Sequence, residues 1–97
     1  MPAFFVADVE VLDPVAFQEY AKGAPATVAQ YGGKYIARGG AIEPLEGGWT
    51  PKRLTIIQFD SVERCKEWFN SPEYRPFRDL RGRVTKAKLL VTEGLAS

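Results

Sequence analysis

The order in which strand and helix patterns follow one another is the strongest constraint on the fold of this chain. Residues 3–11 alternate with a period of two, and one face of the segment is wholly apolar. A helical stripe follows and ends at Gly32, before strands at residues 34–38 and 53–59. After a second helical region, residues 86–93 form the last strand. This β-α-β-β-α-β order predicts a ferredoxin-like α+β domain with a four-stranded antiparallel sheet and its helices on one face.

Local sequence signals predict where the first helix begins and where a proline interrupts its hydrogen bonds. Asp13 followed by Pro14 is typical of a helix N-terminus, because aspartate accepts a hydrogen bond from a free backbone amide and proline needs no N–H at the first position. Pro25 lies within the apolar stripe, where it removes a backbone hydrogen bond. We therefore expect a kink or break near Gly23 and Ala24.

The second helical region contains two start signals. Ser61 is a suitable N-cap for one helix, and Ser71-Pro72-Glu73 repeats the pattern of cap, proline and acidic residue. We therefore expect a third helical segment to begin directly after Ser71. Its apolar side would carry Tyr74, Phe77, Leu80 or Arg81, and Val84.

Chain length and limited helical cover predict one domain, residues 1–97, that pairs with a second copy. A chain of 97 residues buries only about 60–65% of the surface that it exposes when unfolded. Two helical layers cover one face of the sheet and leave Phe4, Val6 and Asp8 on the other. Because an exposed apolar patch usually marks an interaction surface, we expect a homodimer in which the two sheets pack together.

The lack of histidine narrows the possible chemistry. The chain has no histidine and one cysteine, Cys65. This excludes Ser-His-Asp and Cys-His catalysis, histidine-ligated metal or haem, and clusters held by several cysteines. The dinucleotide fingerprint G-x-G-x-x-G is also missing. We therefore expect no metal, haem or flavin cofactor, and we interpret Cys65, on one stripe with Trp68 and Phe69, as a buried inert thiol.

Charge and hydropathy point to neither nucleic acid nor membrane as a partner. The formal net charge is +1, and no apolar run approaches the roughly 20 residues that span a bilayer. Without a basic segment before its first apolar residues, the chain is expected to be cytoplasmic. Residues 54–57 of the third strand are aliphatic or Thr, where an RNA-binding sheet would present aromatic residues. The one basic cluster is interpreted as a solvated helix face and comprises Arg75, Arg78, Arg81, Arg83, Lys86 and Lys88.

Several short segments resemble a known family in their order along the chain. They are Asp8–Val11 with Asp13-Pro14, Tyr31–Tyr35, Arg38–Gly40, Leu45–Trp49 and Ser71–Tyr74. On these segments the chain resembles, over nearly its full length, the bacterial domain-of-unknown-function family 1330 within the dimeric α/β-barrel superfamily. The resemblance implies a dimeric α/β barrel of ferredoxin-like subunits, but the family has no established activity to transfer.

The wider superfamily offers only an analogy for function, since one fold hosts many chemistries. It includes haem-degrading and haem-using enzymes, lactone isomerases and cofactor-free oxygenases that act on aromatic substrates. A chain without histidine is a poor match for the histidine-dependent members. The resemblance therefore leaves open a cofactor-independent enzyme of the oxygenase or isomerase type and a non-catalytic ligand-binding or accessory module.

Asp8 and Arg38 are the candidate catalytic residues. Asp8 lies on the strand face that would point into the interior of a closed barrel, where a carboxylate could act as a general base. Arg38, before Gly39-Gly40, and Arg53, which opens the third strand, could hold a ligand carboxylate or enolate by bidentate hydrogen bonds. The alternative is structural: Asp8 is solvated or pairs with an arginine, and the arginines form cross-strand salt bridges.

Aromatic residues complete the candidate ligand-binding set. Trp49 follows two glycines in the long segment between the second and third strands, and it either caps a pocket or packs across a dimer interface. The hydroxyl groups of Tyr20, Tyr35 and Tyr74 could bind a small organic ligand, although Tyr20 also belongs to a helical core stripe. An enzyme and a binding module would use the same pocket, so the sequence does not separate these two functions.

Overall fold

The structure confirms the predicted order of strands and helices. It is a computed structural model and describes residues 1–96. The elements are β1 (Ala3–Val11), α1 (Pro14–Gln30), β2 (Lys34–Arg38), β3 (Leu54–Phe59), α2 (Val62–Phe69), α3 (Arg75–Val84) and β4 (Thr85–Glu93). The strands pair antiparallel in the spatial order β2-β3-β1-β4, which is the ferredoxin-like arrangement. Within the described residues, no helix combines the length and the apolar character needed to cross a membrane.

The hydrophobic core lies between the helices and one face of the sheet. Phe5, Ala7 and Val9 of β1 are buried there, because alternate residues of a strand point to the same face. The fully buried Trp68 of α2 meets Phe5 edge-on, with 5.2 Å between ring centroids, and lies 4.1 Å from the ring centroid of Tyr74. This aromatic cluster joins β1 to α2 and to the start of α3.

Helix α1 runs unbroken through Pro25, so of the kink or break expected near Gly23 and Ala24, the break does not occur. Proline at this position removes the hydrogen bond that would reach the carbonyl of Ala21. Ala21 is exposed, so water can satisfy that carbonyl and the helix continues. Gly23 has a packing role instead: a Cβ there would overlap the ring of Phe77, and its absence lets α1 and α3 approach closely.

Helix α3 begins later than the sequence pattern predicts. The Oγ of Ser71 accepts a hydrogen bond from the backbone N of Tyr74 at 3.1 Å and closes a single turn. The helix itself begins at Arg75, so the expectation of a start directly after Ser71 was wrong. The reason is Pro76, which has no N–H to donate to the carbonyl of Pro72 and therefore cannot join the turn to the helix.

The second face of the sheet has no helical cover within residues 1–96, as predicted. Phe4 and Val6 of β1 point to this face and are half-buried. Leu90 of β4 pairs with Val6 and is 57% exposed, and Ile56 of β3 pairs with Val6 from the other side. These side chains form an apolar surface, here called the open face.

Cys65 is a free and buried thiol, as predicted. Burial raises the pKa of this thiol to about 11, because the thiolate would lose its hydration in the core. The side chain therefore stays protonated near neutral pH and has the role of a small core residue.

Candidate functional site

A cavity of about 180 Å³ lies between the sheet and the helices α1 and α3. Apolar side chains form much of its wall, among them Phe5, Phe17 and Leu89. No aspartate or glutamate of the described chain lines it. The cavity therefore combines an apolar wall with positive charge. Its polar groups are Arg38, Arg53, Arg81, Tyr20, Tyr35 and Thr55.

An irregularity in β2 brings Tyr35 and Arg38 to the same side of the sheet. Residues three apart in a regular strand point to opposite faces. Here the register with β3 shifts between Tyr35 and Ala37. Tyr35 therefore pairs with Ile57, and Arg38 pairs with Thr55, two residues of β3 that line the cavity. The bulge thus places both β2 side chains in the same site.

Arg38 and Arg53 lie together at the end of the β2–β3 hairpin. The guanidinium carbon of Arg38 lies 4.7 Å from the ring centroid of Tyr35, and that of Arg53 lies 5.6 Å from the ring centroid of Phe17. Gly39 has a φ of 69°, and a Cβ there would lie 2.6 Å from Nη1 of Arg53. Glycine is needed here both for the left-handed backbone and for the approach of this guanidinium group. Aromatic rings, rather than carboxylates, support the two arginines.

Arg81 of α3 is the most deeply buried charged group of the cavity. The residue is 8% exposed, and its Nε has no hydrogen-bond partner in the described part of the chain. The one ion pair found within residues 1–96 joins Arg64 to Glu67, so no carboxylate of that range compensates Arg81. Burial of an uncompensated guanidinium costs several kcal/mol of solvation. The side chain therefore marks a place where an anion would be stabilised.

Sequence reasoning missed Arg81 as a site residue and grouped it with the solvated basic cluster, an interpretation that is wrong for this residue. Arg75 and Arg83 of the same cluster are exposed, as predicted. The sequence had also offered Arg81 as an alternative to Leu80 on the apolar side of the third helix, and the structure agrees with this placement. Arg81 follows the buried Tyr74 by seven residues, or two helical turns, and therefore lies on the same side of the helix.

Two tyrosine hydroxyl groups add hydrogen-bond donors. The hydroxyl of Tyr20 lies 2.8 Å from that of Tyr74, a fully buried residue behind the cavity wall. Burial raises the pKa of Tyr20, and the adjacent Tyr74 raises it further. Burial also raises the pKa of Tyr35, an effect that the positive charge of Arg38 opposes. Tyr20 and Tyr35 are therefore neutral at physiological pH and serve as donors rather than as bases.

Asp8 and Trp49 lie on the other side of the sheet from the cavity. Asp8 points away from the helices because its neighbours on both sides in β1 point toward them. Its Oδ2 accepts a hydrogen bond from Nε1 of Trp49 at 3.3 Å, and its Oδ1 accepts one from the backbone N of Lys52 at 3.2 Å. Asp8 thus holds the segment between β2 and β3 against the sheet. The structure does not bring it into one site with Arg38 or Arg53, and it forms no ion pair with either.

The polar groups of the cavity suit an anion better than a metal ion. Arginine offers only N–H donors, and a neutral tyrosine hydroxyl is a weak metal ligand. Elsewhere in residues 1–96, no group of three His, Cys, Asp or Glu side chains is placed to hold a metal ion. The expectation of a cofactor-free protein stays a prediction that elemental analysis and a visible absorbance spectrum would test.

Solved structures of the same fold cover almost the whole chain. RPA0582, a protein of unknown function from Rhodopseudomonas palustris, is 18% identical, with a TM-score of 0.77 over 99% of this chain and 84% of its own. SnoaB, a cofactor-independent oxygenase from Streptomyces nogalater, is 12% identical, with a TM-score of 0.69 over 99% of this chain and 95% of its own. A dimeric protein of ferredoxin-like fold from Bacteroides fragilis is 11% identical, with a TM-score of 0.65 over 96% of each chain. At such low identity the likeness shows the fold alone, and the class is that of ferredoxin-like α+β proteins.

The sequence also identifies the family. The family described as Domain of unknown function (DUF1330) matches residues 2–95, and the chain belongs to it, as the resemblance of its motifs predicted. No functionally curated protein matches the chain. Because neither the family nor the fold specifies a reaction, a functional proposal has to rest on the cavity itself.

Proposed function

We propose that this protein binds a small organic anion in the cavity lined by Arg38, Arg53 and Arg81. The observation that carries the proposal is Arg81, which is buried with an unpaired Nε beside a cavity without a lining carboxylate. A charge–charge interaction is stronger in such a partly enclosed site than in water, and carboxylates bind guanidinium groups through two parallel hydrogen bonds. The site thus has the charge and the donors that a carboxylate, enolate or phenolate requires.

The size and walls of the cavity restrict the ligand further. A cavity of about 180 Å³ is smaller than the roughly 300–1,000 Å³ that is typical for drug-sized ligands. Phe5, Phe17 and Tyr35 supply aromatic wall surface, which favours a ligand with an apolar body. A compact organic acid fits both restrictions, whereas a nucleotide does not.

We expect small carboxylates to raise the melting temperature while their neutral amides do not. The test compares acetate, butyrate, benzoate and glutarate with the corresponding amides at constant ionic strength. A ligand at one hundred times its Kd adds about 2.7 kcal/mol to the stability of the folded state, which corresponds to a rise of roughly 10–20 °C for a domain of this size. Equal shifts with acids and amides, or no shift with any acid, would contradict the proposal.

A cofactor-independent oxygenase is the second candidate, because SnoaB, a protein of the same fold, is described by that activity. The neutral Tyr20 and the cationic Arg81 could stabilise the enolate or phenolate form of a substrate against apolar walls. The cavity lining offers no carboxylate as a base, so such a substrate would have to reach the site already ionised or ionise readily there. Oxygen uptake by the purified protein with a phenolic acid, measured with an oxygen electrode, would distinguish turnover from binding.

We further propose that the protein is a homodimer formed through the open face. The apolar side chains of Val6, Ile56 and Leu90 there lack helical cover, and the similar Bacteroides fragilis protein is described as dimeric. Light scattering at micromolar concentration should give twice the chain mass of 10.8 kDa. Val6→Asp should give the monomer mass because it places a charge within the interface.

The matched control for this change is Val15→Asp, since Val15 lies on α1 and is 84% exposed. That variant should keep the dimer mass. A monomeric wild-type protein at every concentration, or equal masses for both variants, would contradict the proposed interface.

A further inference from the structure

The three arginines of the cavity lie on two different walls. Arg38 ends β2 and Arg53 directly precedes β3, so both lie on one side of the strand β1. Arg81 comes from α3, which packs against α1 and against β4 on the other side of β1. The floor between the two walls is apolar and includes Phe5 and Ala7 of β1. The arginines of the cavity are therefore carried by two different walls, with apolar residues of β1 between these walls.

The two walls differ in burial. Arg81 is buried and has an unpaired Nε, whereas Arg53 is half-buried and Arg38 is exposed. A carboxylate that is held by the paired N–H groups of one guanidinium is fixed at the wall that carries this guanidinium, so a monoanion bound in this way would compensate the charge of one wall and leave the other without an anion. A ligand with two separate anionic groups would compensate the positive charge of both walls.

We infer that the ligand of this cavity is a small dicarboxylate with an apolar linker, an inference that rests on the proposed anion-binding function. The inner carboxylate binds Arg81, with the hydroxyl of Tyr20 as a further donor. The linker lies over the apolar floor. The outer carboxylate binds Arg38 and Arg53 near the opening, where both guanidinium groups are partly hydrated.

A phosphate group fits this arrangement less well. Inorganic phosphate and simple phosphate monoesters carry their charge on one centre, which favours donors that converge on one point. Here the arginines are split between α3 and the β2–β3 hairpin, and the β1 residues between them, Phe5, Ala7 and Val9, offer no polar side chain to a phosphate oxygen. Inorganic phosphate is therefore the appropriate competitor in the test.

The test uses glutarate and its monomethyl ester, which match in size and differ in one charge. Isothermal titration of the 97-residue protein should show glutarate binding at least about tenfold more tightly than the monomethyl ester. The double variant Arg38→Met, Arg53→Met should remove this difference, so that glutarate and the ester bind with equal affinity. Inorganic phosphate at equal concentration should not displace glutarate.

The outcomes separate the inference from the proposed function. Equal affinity of the wild-type protein for the diacid and the ester would overturn the inference that the ligand is a dicarboxylate. It would not contradict the proposed anion-binding site. Displacement of glutarate by inorganic phosphate, or an unchanged preference for glutarate in the double variant, would also overturn it. If no carboxylate either binds or stabilises the protein, both the inference and the proposed function fail.

Discussion

Arg81→Met is expected to abolish the binding of small carboxylates while leaving the folded protein as stable as before or more stable. Methionine fills similar space without a charge, so it removes the solvation penalty of a buried guanidinium with an unpaired Nε. Removing an unsatisfied buried donor stabilises a fold by about 1–3 kcal/mol. Thermal melts with and without glutarate measure both effects on the same samples.

The control for Arg81→Met is Arg75→Met on the same helix, since Arg75 is exposed and does not line the cavity. This change should alter neither the melting temperature nor the response to glutarate. A clear loss of melting temperature in Arg81→Met, together with an unchanged response to glutarate, would show that the arginine is a structural group instead.

Trp68→Ala is expected to cause a large loss of stability. Trp68 is fully buried, packs against the tilted ring of Tyr74 and donates a hydrogen bond from Nε1 to Oγ1 of Thr27 at 3.0 Å. Replacement of a buried tryptophan by alanine removes these contacts and leaves a cavity, at a cost of about 3–5 kcal/mol. Since domains of this size are stable by about 5–15 kcal/mol, the variant should lose much of its free energy of unfolding in urea.

The chain provides its own control in Trp49→Ala. Trp49 is 62% exposed, and its Nε1 donates a hydrogen bond to Asp8. Exposed substitutions of this kind usually change stability by less than about 1 kcal/mol. Similar losses for both tryptophan variants would contradict the assignment of Trp68 to the centre of the core.

The fold could be predicted in most of its detail because its signals are local. The alternation in β1 and the caps Asp13 and Ser61 each depend on neighbouring residues, and the structure has the strand and both caps as expected. The effect of Pro25 could not be predicted so well, because it depends on whether the carbonyl that loses its partner can reach water. That is a property of how α1 packs, and the sequence pattern alone does not contain it.

The candidate site was only partly predictable, because register and burial decide which side chains meet. Arg38 and Arg53 were identified from their positions around the hairpin, and both line the cavity. The bulge before Arg38 turns its side chain toward the helices, whereas the side chain of Asp8 points to the open face. The two residues therefore lie on opposite sides of the sheet, and the ion pair between them that the sequence allowed does not form. The sequence placed Arg81 both in a basic cluster and, as an alternative to Leu80, on the apolar side of the third helix, and the packing of α3 decides that it is buried.

The most direct test of an anion site at Arg81 is the NMR signal of its side-chain Nε–H group. In ¹⁵N-labelled protein, with Arg81→Met used to assign the signal, saturating glutarate should shift the Arg81 Nε–H resonance and slow its exchange with water. The corresponding signal of the exposed Arg75 should not move. An Arg81 signal that glutarate leaves unchanged, or uniform small shifts of all arginine signals, would contradict the presence of an anion-binding site in this cavity.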